Sequence, residues 1–312
     1  MIHAERIREL VLGSPSSPHR GQVSAASGLV LVGDFLYVVA DDEHHLGVFR
    51  AEGNREGELI RIFPGDLPQA RRARKAEKPD LEVLTRLPSF DGYPAGALLA
   101  LASGSKPNRR TGAVLGLDAS GAIVGRPRPI DLSDLYIPLE LQCPALNIEG
   151  AVIAGSELIL LQRGSKGHPT NASIHMPLAD VLDAISTGDS VGSPGSLTVH
   201  AVDLGVIDDV PLCFTDGAAL PDGRIIFTAV AENAEDTYED GPCTGAAIGI
   251  LGTDCRLQRL ERLQPTHKVE GIHAWIEGAL IRMLLVTDAD DRNVPSSLLS
   301  AELPASAGRQ PA

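Results

Sequence analysis

Lys268-Val269-Glu270-Gly271-Ile272-His273-Ala274-Trp275, with its continuation Leu284-Leu285-Val286-Thr287-Asp288-Ala289-Asp290-Asp291, carries the pattern that decides the fold. An acidic residue opens an apolar strand, Glu277-Gly278 turns it, and a second apolar strand runs into an acidic end. Four further copies begin at Ser27-Gly28, Glu82-Val83, Glu149-Gly150 and Asp216-Gly217, giving successive spacings of 55, 67, 67 and 54 residues. Each copy has its own turn, at Gly33-Asp34, Pro88 to Gly96, Gly155-Ser156 and Pro221-Asp222-Gly223. Gly beside Asp, Ser or Glu is hairpin chemistry, because tight turns between strands demand positive φ. A second apolar run follows every turn, and repeats of this length suit four-stranded propeller blades with variable loops.

A chain of 312 residues with 43% hydrophobic content can bury a large core, and its 32 Gly and 22 Pro punctuate many short strands. The expected fold is all-β: a single five-bladed β-propeller over residues 1–304, with six blades as the alternative and 305–312 as a disordered tail. The run Arg6 to Leu12 lies before the first copy, while the last copy shows three strands ending at Ser297 to Leu303. A ring must leave no strand edge exposed, so the N-terminal strand is expected to close the last blade.

The formal net charge of −14 argues against nucleic acid or an anionic membrane as a partner, since both require a basic face. Neither a signal-peptide apolar region nor a run of about 18 apolar residues is evident, so the expectation is a cytoplasmic monomer. Cys143, Cys213, Cys243 and Cys255 lack C-x-x-C spacing, which favours free thiols over a zinc site, a Cys243–Cys255 bridge being the alternative. Arg71-Arg72-Ala73-Arg74-Lys75 has no apolar periodicity and reads as a solvated loop or short surface helix, or as a docking point for an anionic partner. Leu178, Val181, Leu182 and Ile185 fall at i, i+3, i+4, i+7 and predict a short amphipathic helix.

If each copy starts with the innermost strand of its blade, Ser27, Glu82, Glu149, Asp216 and Glu270 occupy equivalent places around one axis. Converging carboxylates must bind a cation or take up protons, unless they hydrogen-bond neighbouring strands. An all-oxygen set points to Ca²⁺ before Mg²⁺, with Glu82, Glu149, Asp216 and Glu270 as ligands. In an up-and-down blade, the loop entering the first strand and the loop joining the second to the third share one face. That mouth would gather Lys106, Arg109, Arg163, Lys166 and His168 as groups for a small anionic or polar molecule. Asp42, Asp288 and His273 are the candidate bases. No G-x-S-x-G elbow or Gly-rich phosphate loop is present.

At Asn147-Ile148-Glu149-Gly150-Ala151, Lys268-Val269-Glu270-Gly271-Ile272 and Asp80-Leu81-Glu82-Val83-Leu84 the chain resembles the blade starts of bacterial phytase-like and esterase-like propellers. Its five copies are also similar to the five-bladed calcium-activated nucleotidases, which hold an axial calcium by inward polar groups. The resemblance implies a calcium-assisted hydrolase of a phosphate or other ester. It departs at Ser27, where a fifth acidic group would stand, and in lacking the aromatic and Pro-Arg-Arg motifs of the nucleotidases, leaving an uncharacterised bacterial propeller family open. A non-catalytic binding module is the alternative function, because propellers host both.

Overall fold

A computed structural model describes residues 1–13, 21–165, 167–168, 170–192, 195–233 and 241–305. Strand β1 (Ile2–Glu9) precedes a first sheet of β2 (Ala26–Val32), β3 (Phe35–Ala40), β4 (His45–Arg50) and β5 (Glu58–Arg61). Helix α1 (Arg71–Glu77) leads to a second sheet of β6 (Leu81–Leu87), β7 (Ala97–Ala102), β8 (Thr111–Leu117) and β9 (Ile123–Asp131). Helix α2 (Ser133–Glu140) leads to a third, β10 (Ile148–Ala154), β11 (Glu157–Gln162), β12 (Asn171–Pro177) and β13 (Thr198–Val202), with α3 (Leu178–Thr187) between its last two strands. The short β14 (Val206–Ile207) precedes β15 (Val210–Ala219), β16 (Ile225–Glu232), β17 (Cys243–Leu251) and β18 (Leu257–Gln264). The chain closes with β19 (Val269–Glu277), β20 (Leu280–Thr287) and β21 (Ser297–Pro304).

The protein is all-β, built from antiparallel four-stranded sheets of the kind that form propeller blades. Three stand alone, and β1 joins the last two sets into one nine-stranded sheet. It pairs antiparallel with β21 (Ala4 opposite Ala301) and briefly parallel with β18 (Ile2 opposite Leu263). The N-terminus thus supplies the outer strand beside the last copy, as the missing strand there requires. That strand begins four residues earlier than the apolar run Arg6 to Leu12 suggests. Ile2, Ala4 and Arg8 are its buried side chains, whereas Leu10 and Leu12 lie beyond it, in the core beside the first sheet.

In the first two sheets the second strand is an unbroken apolar run rather than an alternating one. β7, Ala97–Ala102, is buried at every residue, because sheets pack on both of its faces. Outer strands such as β9 carry exposed polar residues. Apolar clusters bridge successive sheets: Tyr37 and Val39 pack with Leu98 and Ala100, Val152 with Phe214 and Phe227, and Leu29 and Leu36 with Val286 and Leu298. The innermost strands touch in a closed cycle, β2 to β6 to β10 to β15 to β19 and back to β2.

The amphipathic segment forms α3, with Leu178, Val181 and Ile185 buried. Helix α2 has no comparable sequence signal, since Pro138 sits inside it, yet it buries Leu135, Tyr136 and Leu139, and the Tyr136 hydroxyl donates to the Ala102 carbonyl at 2.8 Å. The four cysteines are free thiols. Among the described residues no helix is long and apolar enough to cross a membrane. Of the tail expected to be disordered, Ala305 bonds the Ala279 carbonyl and residues 306–312 lie outside the described residues.

Candidate functional site

The repeated motif is a β-bulge. Where each innermost strand meets the second, the register slips by one residue between Ala26 and Gly28, Leu81 and Val83, Ile148 and Gly150, Phe214 and Asp216, and Val269 and Gly271. The extra residues are therefore Ser27, Glu82, Glu149, Thr215 and Glu270. The fourth copy is offset by one, and Asp216 occupies the place that Gly28, Gly150 and Gly271 hold elsewhere.

That place faces the next innermost strand. A Cβ on Gly28 would stand 2.9 Å from the Leu84 nitrogen, one on Gly150 3.1 Å from the Asp216 Cα, and one on Gly271 3.0 Å from the Gly28 Cα. Asp216 fills it with a carboxyl whose Oδ2 accepts the Ile272 N–H at 2.9 Å and whose Oδ1 accepts the Gly217 N–H at 2.7 Å. Burial holds its pKa well above the usual range. Asp216 thus ties strand to strand, and the acidic groups at bulges are Glu82, Glu149 and Glu270.

The entry loops and the second-to-third loops do share one mouth, stitched by backbone bonds from Asp41 N–H to the Ala25 carbonyl, Asp80 to Asp41, Ser103 to Asp80, Ile148 to Ser103 and Arg163 to Asn147. Arg163 enters the ring from the loop after β11. Its guanidinium lies 3.3 Å from Glu149 and 3.7 Å from Glu270 and also pairs with Glu232. Lys268 lies 3.6 Å from both Glu232 and Glu270 and 2.7 Å from Asp290. Burial, Glu82 and Glu270 keep Glu149 well above the usual carboxylate range despite Arg163, and burial pushes Glu270 up to about 8. Glu149 and Glu270 are thus disposed to retain their protons.

Across the mouth, Asp41, Asp80 and Glu82 bring one carboxylate oxygen each within 4.8 Å of one another. Lys78 bridges Asp41 and Asp80, the latter at 2.9 Å, and Arg109 bonds Asp80 at 2.8 Å. Asp80 is buried, yet these two cations hold it below the usual range. Glu82 is raised, by burial and then by Asp80. The group adjoins a pocket lined by Arg71, Arg74, Lys75 and Lys78 of α1 and its C-terminal end together with Asp41, Asp42, Asp288, Asp290, Asp291 and Arg292. The basic cluster at residues 71–75 is therefore the short helix expected, but Arg74 is buried, pairing with Asp42 at 3.1 Å and Glu43 at 2.5 Å.

Of the sequence-derived candidates, Asp42 and Asp288 line this pocket, and burial followed by Asp290 lifts Asp288 to about 7 although Lys268 opposes it. His273 lies along β19, where its Nδ1 accepts the Leu31 N–H at 3.4 Å and burial lowers its pKa to about 4, leaving it neutral. Arg109 and Arg163 are committed to carboxylates. Lys106 is half-buried and precedes the single turn 107–109; His168 is exposed beside Ser165; Lys166 lies outside the described residues. Asp80, Lys78 and Lys268 escaped the sequence reading. A signal existed: Asp80, Asn147 and Lys268 each stand two residues before a bulge carboxylate, a polar position repeated in three copies.

A family model described as Family of unknown function (DUF6929) matches residues 22–303. No curated protein matches the sequence. Among solved structures, a luciferin-regenerating enzyme aligns at 11% identity over 98% of this chain and 96% of its own, with a TM-score of 0.49. A putative gluconolactonase aligns at 12% identity over 96% and 92%, TM-score 0.41, and the Penicillium chrysogenum alpha-L-arabinanase at 9% over 96% and 98%, TM-score 0.44. At such scores none of the three transfers its activity to this chain.

Proposed function

The chain belongs to the Family of unknown function (DUF6929), a description that assigns no activity, and we propose for it a five-bladed β-propeller acting as a calcium-assisted hydrolase of a small anionic ester, phosphate before others. The closed cycle of innermost strands supports the blade count. The convergence of Asp41, Asp80 and Glu82 beside a pocket that also carries Arg71 and Lys75 supports the chemistry.

Around the mouth Asp41, Asp80, Glu82, Glu149, Glu232, Glu270, Asp288 and Asp290 lie among Lys78, Arg109, Arg163 and Lys268, with Arg71, Arg74, Lys75 and Arg292 lining the adjoining pocket, and the raised pKa values of Glu82, Glu149, Glu270 and Asp288 favour a bound cation or protons. The all-oxygen donor set fits Ca²⁺, held by Asp41, Asp80 and Glu82, with Lys78 as its competitor. Bound there, the ion supplies Lewis-acid polarisation of the ester oxygen. Arg71 and Lys75 on the pocket wall attract the anionic group. Asp288, titrating near 7, accepts the proton of the attacking water. Arg163 and Arg109 order the acidic mouth rather than hold substrate.

The direct test is a panel of phosphomonoesters, phosphodiesters, nucleotides, lactones and aryl esters with and without CaCl₂, on wild type, Glu82→Gln and Asp288→Asn. The expected result is calcium-dependent turnover of at least one class, reduced by about 10²–10⁴-fold in Asp288→Asn. An inert wild type whose melting temperature is the same in EDTA and in CaCl₂ overturns the proposal. The bridge from Lys78 to Asp41 and Asp80 favours a second reading, a binding module whose acidic mouth is neutralised from within; a ligand bound without turnover would select it.

A further inference from the structure

On the outer rim, away from the axis, His175 of β12, His200 of β13 and Cys255 of the turn between β17 and β18 place one ligand atom each within 4.8 Å of one another. We propose that these three residues form a binding site for a borderline-soft divalent cation, zinc foremost, that clamps the third sheet to the turn of the fourth.

Pairing of β12 with β13 puts Ser173 opposite His200, and His175, two residues on, shares their face of the sheet. The two imidazoles meet at 5.1 Å between centroids, nearly perpendicular, and the Cys255 Sγ lies 3.3 Å from the His175 Nε2. The other nitrogen of the ring, Nδ1, is 3.0 Å from Glu157 Oε2. A carboxylate accepting the Nδ1 proton fixes the tautomer and leaves the Nε2 lone pair facing the sulfur and the Ser173 hydroxyl, the latter 3.1 Å away, the arrangement typical of histidines that bind metals. Cys255 itself sits at φ +60, a conformation uncommon for a residue with a side chain. Its thiol is half-buried and meets His175 at the rim.

Two imidazoles and a thiol exclude calcium and magnesium as preferred occupants and suit Zn²⁺ with three protein ligands, a water completing the tetrahedron. His200 is exposed and the His175 side chain retains 12% of its accessibility, so an ion can enter without unfolding the rim. The three ligands come from two sheets, so an ion bound there stabilises the folded ring by mass action.

The test uses the full chain stripped with EDTA and titrated with Co²⁺, followed by Zn²⁺ displacement. Wild type should show a thiolate-to-cobalt charge-transfer band that zinc abolishes, and zinc should raise the melting temperature. His200→Ala, at an exposed position, and Cys255→Ser should remove the band while keeping the metal-free melting temperature. Glu157→Gln, altering a positioning residue, should keep the band and weaken the affinity by about 10–100-fold. No thiolate band in wild type, or a band that survives Cys255→Ser or His200→Ala, overturns the assignment. None of these outcomes depends on the axial mouth or on turnover.

Discussion

Ile272 donates its backbone N–H to the buried Oδ2 of Asp216 at 2.9 Å, tying the innermost strand β15 to β19 by a single side chain. Asp216→Ala leaves that N–H without the carboxyl and should cost about 1–3 kcal/mol. Asp216→Asn, which keeps an oxygen, should lie between the two. Urea unfolding midpoints decide it, and an alanine variant with the wild-type midpoint would show that the contact contributes nothing.

The glycines after the bulges make a sterically sharper prediction. A Cβ on Gly271 would stand 3.0 Å from the Gly28 Cα and 3.1 Å from the Ser27 carbonyl oxygen, and backbone cannot swing aside. Gly271→Ala should destabilise by about 1–3 kcal/mol. Gly192→Ala, where nothing stands within 4 Å, is the control expected to melt like wild type.

Arg163 is the shared cation of Glu149, Glu232 and Glu270. Replacing it with Met leaves three buried acidic groups without their shared cation, at about 3–5 kcal/mol where they are ionised. The loss should shrink in acid, where Glu149 and Glu270, their pKa values raised by burial, carry no charge for Arg163 to neutralise. A deficit equal at pH 5 and pH 8 would contradict the pairing.

Burial above all raises Glu270 to about 8 and Asp288 to about 7. Between the ordinary carboxylate range and these values the folded state binds more protons than the unfolded chain, so stability falls as pH rises across that window. The two groups' contribution is fully present below about pH 4 and is lost as pH rises through about 7 and then about 8. Melting temperatures measured from pH 5 to pH 8.5 should decline, and Glu270→Gln should flatten the decline. A wild-type profile that rises over this range would refute it.

Removing residues 1–9 should bare the β21 edge from Ser297 to Ala301 and uncover the pockets of Ile2 and Ala4. Lower melting temperature and increased light scattering are expected. A truncated chain that melts as wild type would mean that the ring holds without its N-terminal strand.

The sequence by itself determined what depends on local pattern. Apolar runs split by Gly turns set the strands, the missing strand of the last copy called for β1, and the acidic residues at Glu82, Glu149 and Glu270 marked the bulges. Their visibility has a plain cause: period-two burial and positive-φ turns are written in neighbouring residues. Tertiary structure decided what depends on register and on distant loops. A slip of one residue put Thr215 at the fourth bulge and turned Asp216 toward the next strand, because side chains alternate across a strand. It also chose which cation meets which carboxylate: Arg163 reaches Glu232 across 69 positions, and Cys255 reaches His175 across 80. Such meetings are fixed by how sheets pack around an axis, a geometry that no window of sequence contains.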